Sequence, residues 1–197
     1  MFNKMLSWVK STILKLLGQE STELTISPKM ENLIDLWARL YEGTESGESL
    51  KLPASIASEF ARLVVVESEI SITGGSRGDW MEKQLLPFLQ KLQEYVEYAC
   101  AMGGEVFKPY VSGDSILIDA VQADCFFPTA FDTSGRMTGA VFVEQIVRGN
   151  RIYTRAESHE FTKGREVIRN KAFSSTTNAA LGNEIDLATV PEWAEIA

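Results

Sequence analysis

The sequence predicts an α+β fold, with N-terminal helices followed by a mostly antiparallel sheet. Up to residue 102, apolar residues recur every three or four positions, the spacing of helices with one buried face. After Gly103-Gly104 the spacing becomes alternating, the period of a strand. The sense of the sheet follows from Arg148-Gly149-Asn150, which parts two long alternating runs and reads as a β-hairpin.

Each element follows in order. Residues 1–18 read as a basic amphipathic helix, with Leu6, Val9, Ile13, Leu16 and Leu17 at helical spacing among Lys4, Lys10 and Lys15. Residues 19–27 are polar and read as a linker, so residues 1–27 stand apart from an α+β domain over 28–197. Ser27-Pro28 opens a helix, Ser at the cap and Pro at the first helical position. Its apolar stripe is Leu33, Leu36, Trp37, Leu40 and Tyr41. Pro53 opens the next helix, with Ile56, Phe60, Leu63 and Val64 on one face. Ser68–Thr73 reads as a strand. Asp79 and Glu82 have the spacing of a capping box for a helix over 80–102, whose apolar face is Leu85, Phe88, Leu89, Leu92, Val96 and Ala99. Pro87 predicts a kink or two abutting helices there. Gly103 ends the segment with a left-handed cap.

Strands are expected at Glu105–Val111, Ser115–Ala120, Cys125–Pro128, Arg136–Val147, Arg151–Phe161 and Gly164–Phe173. They are expected to form one sheet over 105–173, packed against the helix of 80–102. Residues 174–184 read as a small-residue loop, and Pro191–Ile196 as a short closing segment.

Composition bounds the function. The 197 residues carry 27 acidic and 19 basic side chains, a net charge of −8, which argues against a free-standing DNA binder. Two cysteines, Cys100 in a helix and Cys125 in a strand, point to a reducing compartment and not to a disulfide scaffold. The longest apolar run falls far short of a membrane span, so a membrane role rests on residues 1–18 alone and a peripheral protein-packing helix is favoured. Arg77-Gly78-Asp79 is the tripeptide read by some cell-surface receptors; a helix start is the stronger reading.

Catalytic chemistry has little to stand on. His159 is the one histidine, on a polar strand face with Tyr153, Arg155 and Glu157, where solvation or pairing with a cross-strand neighbour is expected. One His and two separated Cys do not make a zinc site. Asp114, Asp119, Asp124 and Asp132 fall near strand ends; convergence on magnesium is one reading, turn-building the favoured one. Eight aromatics (Phe107, Tyr110, Phe126, Phe127, Phe131, Phe142, Tyr153 and Phe161) belong to a core, since only Lys108 and Arg136 accompany them over 105–147. No catalytic, cofactor-binding or metal-ligating residue is assigned, and no cofactor is expected.

Several stretches carry a resemblance. They are "LPASIASEFARLVVVESEISI", "AMGGEVFKPYV", "DAVQADCFFPTAFDTSGRMTGAVFVEQ", "YTRAESHEF" and "VIRNKAFSS…LGNEIDLATVPEWAEI". In this order, from about Glu31 to the end and over roughly 85% of the chain, they resemble the portal protein of tailed bacteriophages, in the branch common among long-tailed phages of Gram-positive hosts. The resemblance implies a structural head protein that self-associates in a ring of about twelve subunits at one capsid vertex. Double-stranded DNA passes through such a ring during packaging and ejection, without sequence specificity. Terminase, capsid and head-completion proteins are the implied partners, and the virion is the implied location, with the host cytoplasm during assembly. The terminase hydrolyses nucleotide, so the portal is not an enzyme and takes no small-molecule substrate.

Portal chains are typically more than twice this length, so the chain reads as the N-terminal, wing-like portion, truncated where relatives continue. The alternatives are a peripheral membrane-associated protein, or a metal-dependent protein of prophage origin.

Overall fold

The computed structural model describes residues 28–42, 51–177 and 180–196. The expected helix and linker over 1–27 lie outside the described residues. Two compact units are present. Trp37–Ala123 makes one; Asp124–Ala197 belongs to the other, together with the first turns of the first helix up to Leu36.

Helix α1 spans Pro28–Glu42 and begins on its proline, as expected. Helix α2 spans Leu52–Val66, with Pro53 in its first turn. Helices α3, Gly75–Leu89, and α4, Leu92–Met102, replace one long helix. Pro87, which has no N–H for the Lys83 carbonyl, lies inside α3, and the interruption comes just after it. The chain turns at Gln90 and Lys91, whose N–H groups reach back to the carbonyls of Leu86 and Phe88 at 3.0 Å.

Two expectations here are corrected. Ser68–Thr73 is not a strand and has no regular secondary structure. Asp79 is not a cap: α3 starts four residues earlier, behind Gly74, and carries no side-chain cap. Gly78 explains the tight entry, because a Cβ there would sit 3.0 Å from the Thr73 carbonyl carbon. Arg77-Gly78-Asp79 therefore lies inside a helix with its glycine buried, not on a receptor-binding loop.

In the helical unit, α2 lies along α4. The buried side chains of α2 are Ala57 and Ala61, small enough to let two helix backbones approach closely. The predicted stripe of Ile56, Phe60, Leu63 and Val64 is exposed instead. The end of α1 joins α4 through polar contacts: the Trp37 indole N–H donates to the Ala101 carbonyl, and the Tyr41 hydroxyl donates to Glu97 at 2.8 Å. Burial first, then that carboxylate, pushes the Tyr41 phenol up to about 12.

Strands β1, Glu105–Ser112, and β2, Ser115–Gln122, form an antiparallel hairpin in full register. It packs on α3 and α4. Phe107 meets Phe88 edge-on at 4.9 Å, with Tyr95 completing a three-ring cluster. Gln84 on α3 accepts the Ile116 N–H at 3.2 Å.

The other unit holds a five-stranded antiparallel meander, β3 (Phe126–Phe131), β4 (Met137–Arg148), β5 (Arg151–Thr162), β6 (Arg165–Ser175) and β7 (Asn183–Ile185), in that spatial order. The single sheet expected over 105–173 is thus two sheets. They part at Ala123–Cys125, one turn of 3₁₀ helix that takes Cys125 out of its expected strand. β7 begins inside the expected loop of 174–184 and ends just beyond it.

One face of the meander buries Phe127, Val141, Val143, Ala156 and Phe173. On the opposite face, short 3₁₀ turns at Leu187–Thr189 and Pro191–Ile196 lay Val190 and Trp193 over Ala172. Ile146, Tyr153, Ile185 and Leu187 pack around them. Asp186 holds the first turn in place by accepting the Ala188 N–H at 2.9 Å.

Trp193 is the largest fully buried side chain, 1% exposed. Trp193→Ala should destabilise this unit by about 3–5 kcal/mol, the cost of a large aromatic removed from a packed site. Urea unfolding followed by far-UV circular dichroism checks it; a loss under 1 kcal/mol would mean the C-terminal segment only rests on the sheet.

Candidate functional site

The densest polar constellation lies on the face that Trp193 covers in part. β5 alternates, so Tyr153, Arg155, Glu157 and His159 project together. Register brings Glu144 of β4 opposite Arg155 and Asn170 of β6 opposite Glu157.

Arg155 is 9% exposed and Glu157 8%. The Arg155 guanidinium donates to Glu157 at 2.8 Å, to Glu144 at 2.9 Å and to the Asn170 side-chain oxygen at 3.3 Å. The Trp193 indole N–H donates to the same Glu144 oxygen at 3.1 Å. Beyond Glu157, the His159 ring has one nitrogen 2.6 Å from Glu157 and the other 2.8 Å from Glu166 of β6. Phe142 meets the His159 ring edge-on at 5.2 Å and stacks against Phe126.

Each strong acid or base here is committed to a partner. Glu157 serves two cationic or donor groups, and both nitrogens of His159 face carboxylates. The arrangement staples β4, β5, β6 and the C-terminal turn together. The expected cross-strand partner of His159 is thus Glu166, one diagonal step away. The burial of Arg155 and Glu157 carried no signal in the sequence, because an alternating polar strand reads as a solvent face.

The four aspartates have separate roles. Asp114 forms the β1–β2 turn, and Asp119 pairs with Lys108 across that hairpin at 3.8 Å. Asp132 organises the β3–β4 turn, accepting from the Ser134 hydroxyl at 2.6 Å and from the Ser134 and Arg136 N–H groups at 2.8 and 3.0 Å. Those bonds, Ser134 first, hold its carboxyl below the usual range. Among the described residues, no three His, Cys, Asp or Glu side chains stand close enough to hold a metal ion. No described helix is long and apolar enough to cross a membrane.

Asp124 differs. It is 7% exposed, in the turn between the two sheets, and no partner of good hydrogen-bond geometry reaches either oxygen. Burial pushes its carboxyl above the ordinary range, opposed in part by its own backbone N–H and by Cys125.

Comparison with known proteins returned no matching family model, no matching curated protein and no matching solved structure.

Two outcomes follow. Arg155→Met removes the buried guanidinium that Glu157 and Glu144 face and should cost about 3–5 kcal/mol in denaturant unfolding, whereas Arg169→Met, at an exposed ion pair, should cost under about 1 kcal/mol. Equal effects would show that the buried pair has no special weight. For Asp124, a raised carboxyl means the folded state holds its proton more tightly than the unfolded chain. Its penalty is absent below the unfolded value and grows as pH rises through the folded one. Asp124→Asn should therefore be more stable relative to the parent at neutral pH than in acid. A pH-independent effect in paired melting curves would refute that origin.

Proposed function

We propose that the chain is a structural subunit of a phage head: the N-terminal, wing-like part of a portal, placed at the capsid vertex for DNA packaging and ejection, with no chemistry of its own. The sequence resemblance to portal proteins supports the family part of this reading. The observation that supports an assembly role is the apolar surface of the helices. Leu33, Leu36, Trp37 and Leu40 of α1 are exposed, as are Ile56, Phe60, Leu63 and Val66 of α2, the last at 71%. Such surfaces are what a subunit shows before its neighbours cover it. Terminase, capsid and head-completion proteins are the partners this reading brings, with double-stranded DNA passing through the assembled channel and the virion as destination.

Two measurements test the reading. Peptides of the chain should appear in density-purified phage particles, and labelled antibody should mark one vertex per particle. Their absence from particles of an expressing host overturns the reading. Alone in solution the chain should be a monomer or a mixed population, because a head-to-tail contact closes into a ring only when its rotation fits. A single sharp species of about twelve subunits with a central channel, seen by mass photometry and negative stain, would show that this portion by itself carries the ring-forming information.

A further inference from the structure

We propose that the tip of the β5–β6 hairpin of one copy docks on the C-terminal end of α2 in a second copy. The proposal names the surfaces of the self-association put forward above and rests on that reading only for the expectation that copies meet.

The tip is paired to its end and two-sided. β5 and β6 stay paired to the last residues, Thr162 opposite Arg165. Lys163 and Gly164 close the turn, both with positive φ, 52° and 76°, as a two-residue hairpin requires. Around that turn Phe161 is 58% exposed, and Val167 and Ile168 are exposed too. From 161 to 169 there are three bases, Lys163, Arg165 and Arg169, against one acid, Glu166. Arg169 and Glu166 are occupied by Glu160 and His159. Among the described residues, Lys163 and Arg165 have no carboxylate partner.

The end of α2 has the opposite character. Leu63, Val66 and Ile70 are exposed around it. From 59 to 70 there are three acids, Glu59, Glu67 and Glu69, against one base, Arg62. Glu59 and Arg62 satisfy each other at 2.6 Å. Glu67 and Glu69 have no cationic partner among the described residues. The last turn of α2 holds no basic residue, so the negative end of the helix dipole adds to their field.

On the tip, Phe161 and Ile168 share one face with Glu166, while Val167 and Arg165 share the other and Lys163 sits in the turn between them. The charge left unpaired at the tip is positive and that at the end of α2 is negative. The occupant that matches the tip in apolar surface and in charge is therefore present on the same chain. Because the patches differ, the contact is heterologous and can propagate from copy to copy.

The experiment uses the full chain and four exposed positions. Tip variant Phe161→Ser/Ile168→Ser and helix variant Val66→Ser/Ile70→Ser should each be folded and monomeric at concentrations where the parent associates, by sedimentation velocity. Mixed in equal amounts, they should form a dimer and nothing larger, since each supplies the one patch that the other lacks. Charge reversal gives a second arm. Lys163→Glu/Arg165→Glu and Glu67→Lys/Glu69→Lys should each weaken association by about tenfold or more, and combining all four should restore it.

Association that survives either patch variant, or a mixture that stays monomeric, overturns this contact while leaving the virion reading intact. A parent that stays monomeric at all concentrations also overturns it, and so does binding of the tip to anionic vesicles in place of a second copy. Absence of the chain from phage particles would instead overturn the functional reading.

Discussion

A guanidinium and a carboxylate buried side by side on one strand govern the five-stranded unit. Taking Arg155 and Glu157 out of water costs several kcal/mol for each ion, and their mutual attraction offsets that only if the remaining donors and lone pairs are also met. Glu144 must arrive from β4, Asn170 and Glu166 from β6, and Trp193 from the far end of the chain. None of these can do so in a shifted register, because a slip of one residue turns every side chain to the other face. The pair therefore contributes little net stability but strongly penalises misaligned strands. It also explains why a chain end that contributes little regular structure is held: the indole N–H of Trp193 completes the shell of Glu144 while its rings cover Ala172.

The helical unit solves a different problem. Its closest helix contact uses alanines, Ala57 and Ala61, and leaves the large side chains of α2 outward. Burying a side chain such as Leu63 or Phe60 is worth about 1.5–3 kcal/mol, and this unit leaves that gain unrealised. Large apolar side chains are exposed on α1 and α2, and also on α3 and the β1–β2 hairpin, as at Leu86, Phe107 and Val111. On the assembly reading, such surfaces give association a driving force.

How much of this was legible depends on how local each cause was. The change of period at Gly103, the β4–β5 turn at Gly149 and the interruption just after Pro87 act within a few residues, and all three were readable. The face of α2 was not: its apolar pattern gives two candidate faces, and close helix approach favours the one with small residues. Ser68–Thr73 alternates like a strand but finds no partner, since Gly74 and Gly75 start a helix at once. One sheet became two because Ala123–Cys125 makes a turn that no alternation foretells. At the polar site, the pairing of His159 followed from strand spacing. The depth of Arg155 and Glu157, and the isolation of Asp124, depend on segments distant in sequence and left no local mark.

Charge ties the two units to the question of assembly. Residues 37–123 carry 13 acidic and 7 basic side chains, whereas residues 124–197 carry 10 and 8. Such a chain repels its own copies at low ionic strength, so contact between copies needs a local exception. The sheet uses most of its bases internally: Arg136 on Asp132, Arg148 on Glu192, Arg155 on Glu144 and Glu157, Arg169 on Glu160, Lys171 on Glu184. Lys163 and Arg165 stand outside that bookkeeping, at the end of the β5–β6 hairpin. Folding has thus left positive charge at one place where the sheet is also apolar. Glu67 and Glu69 put negative charge where α2 is apolar, so the proposed contact would pair opposite charges within a chain whose net charge otherwise keeps copies apart.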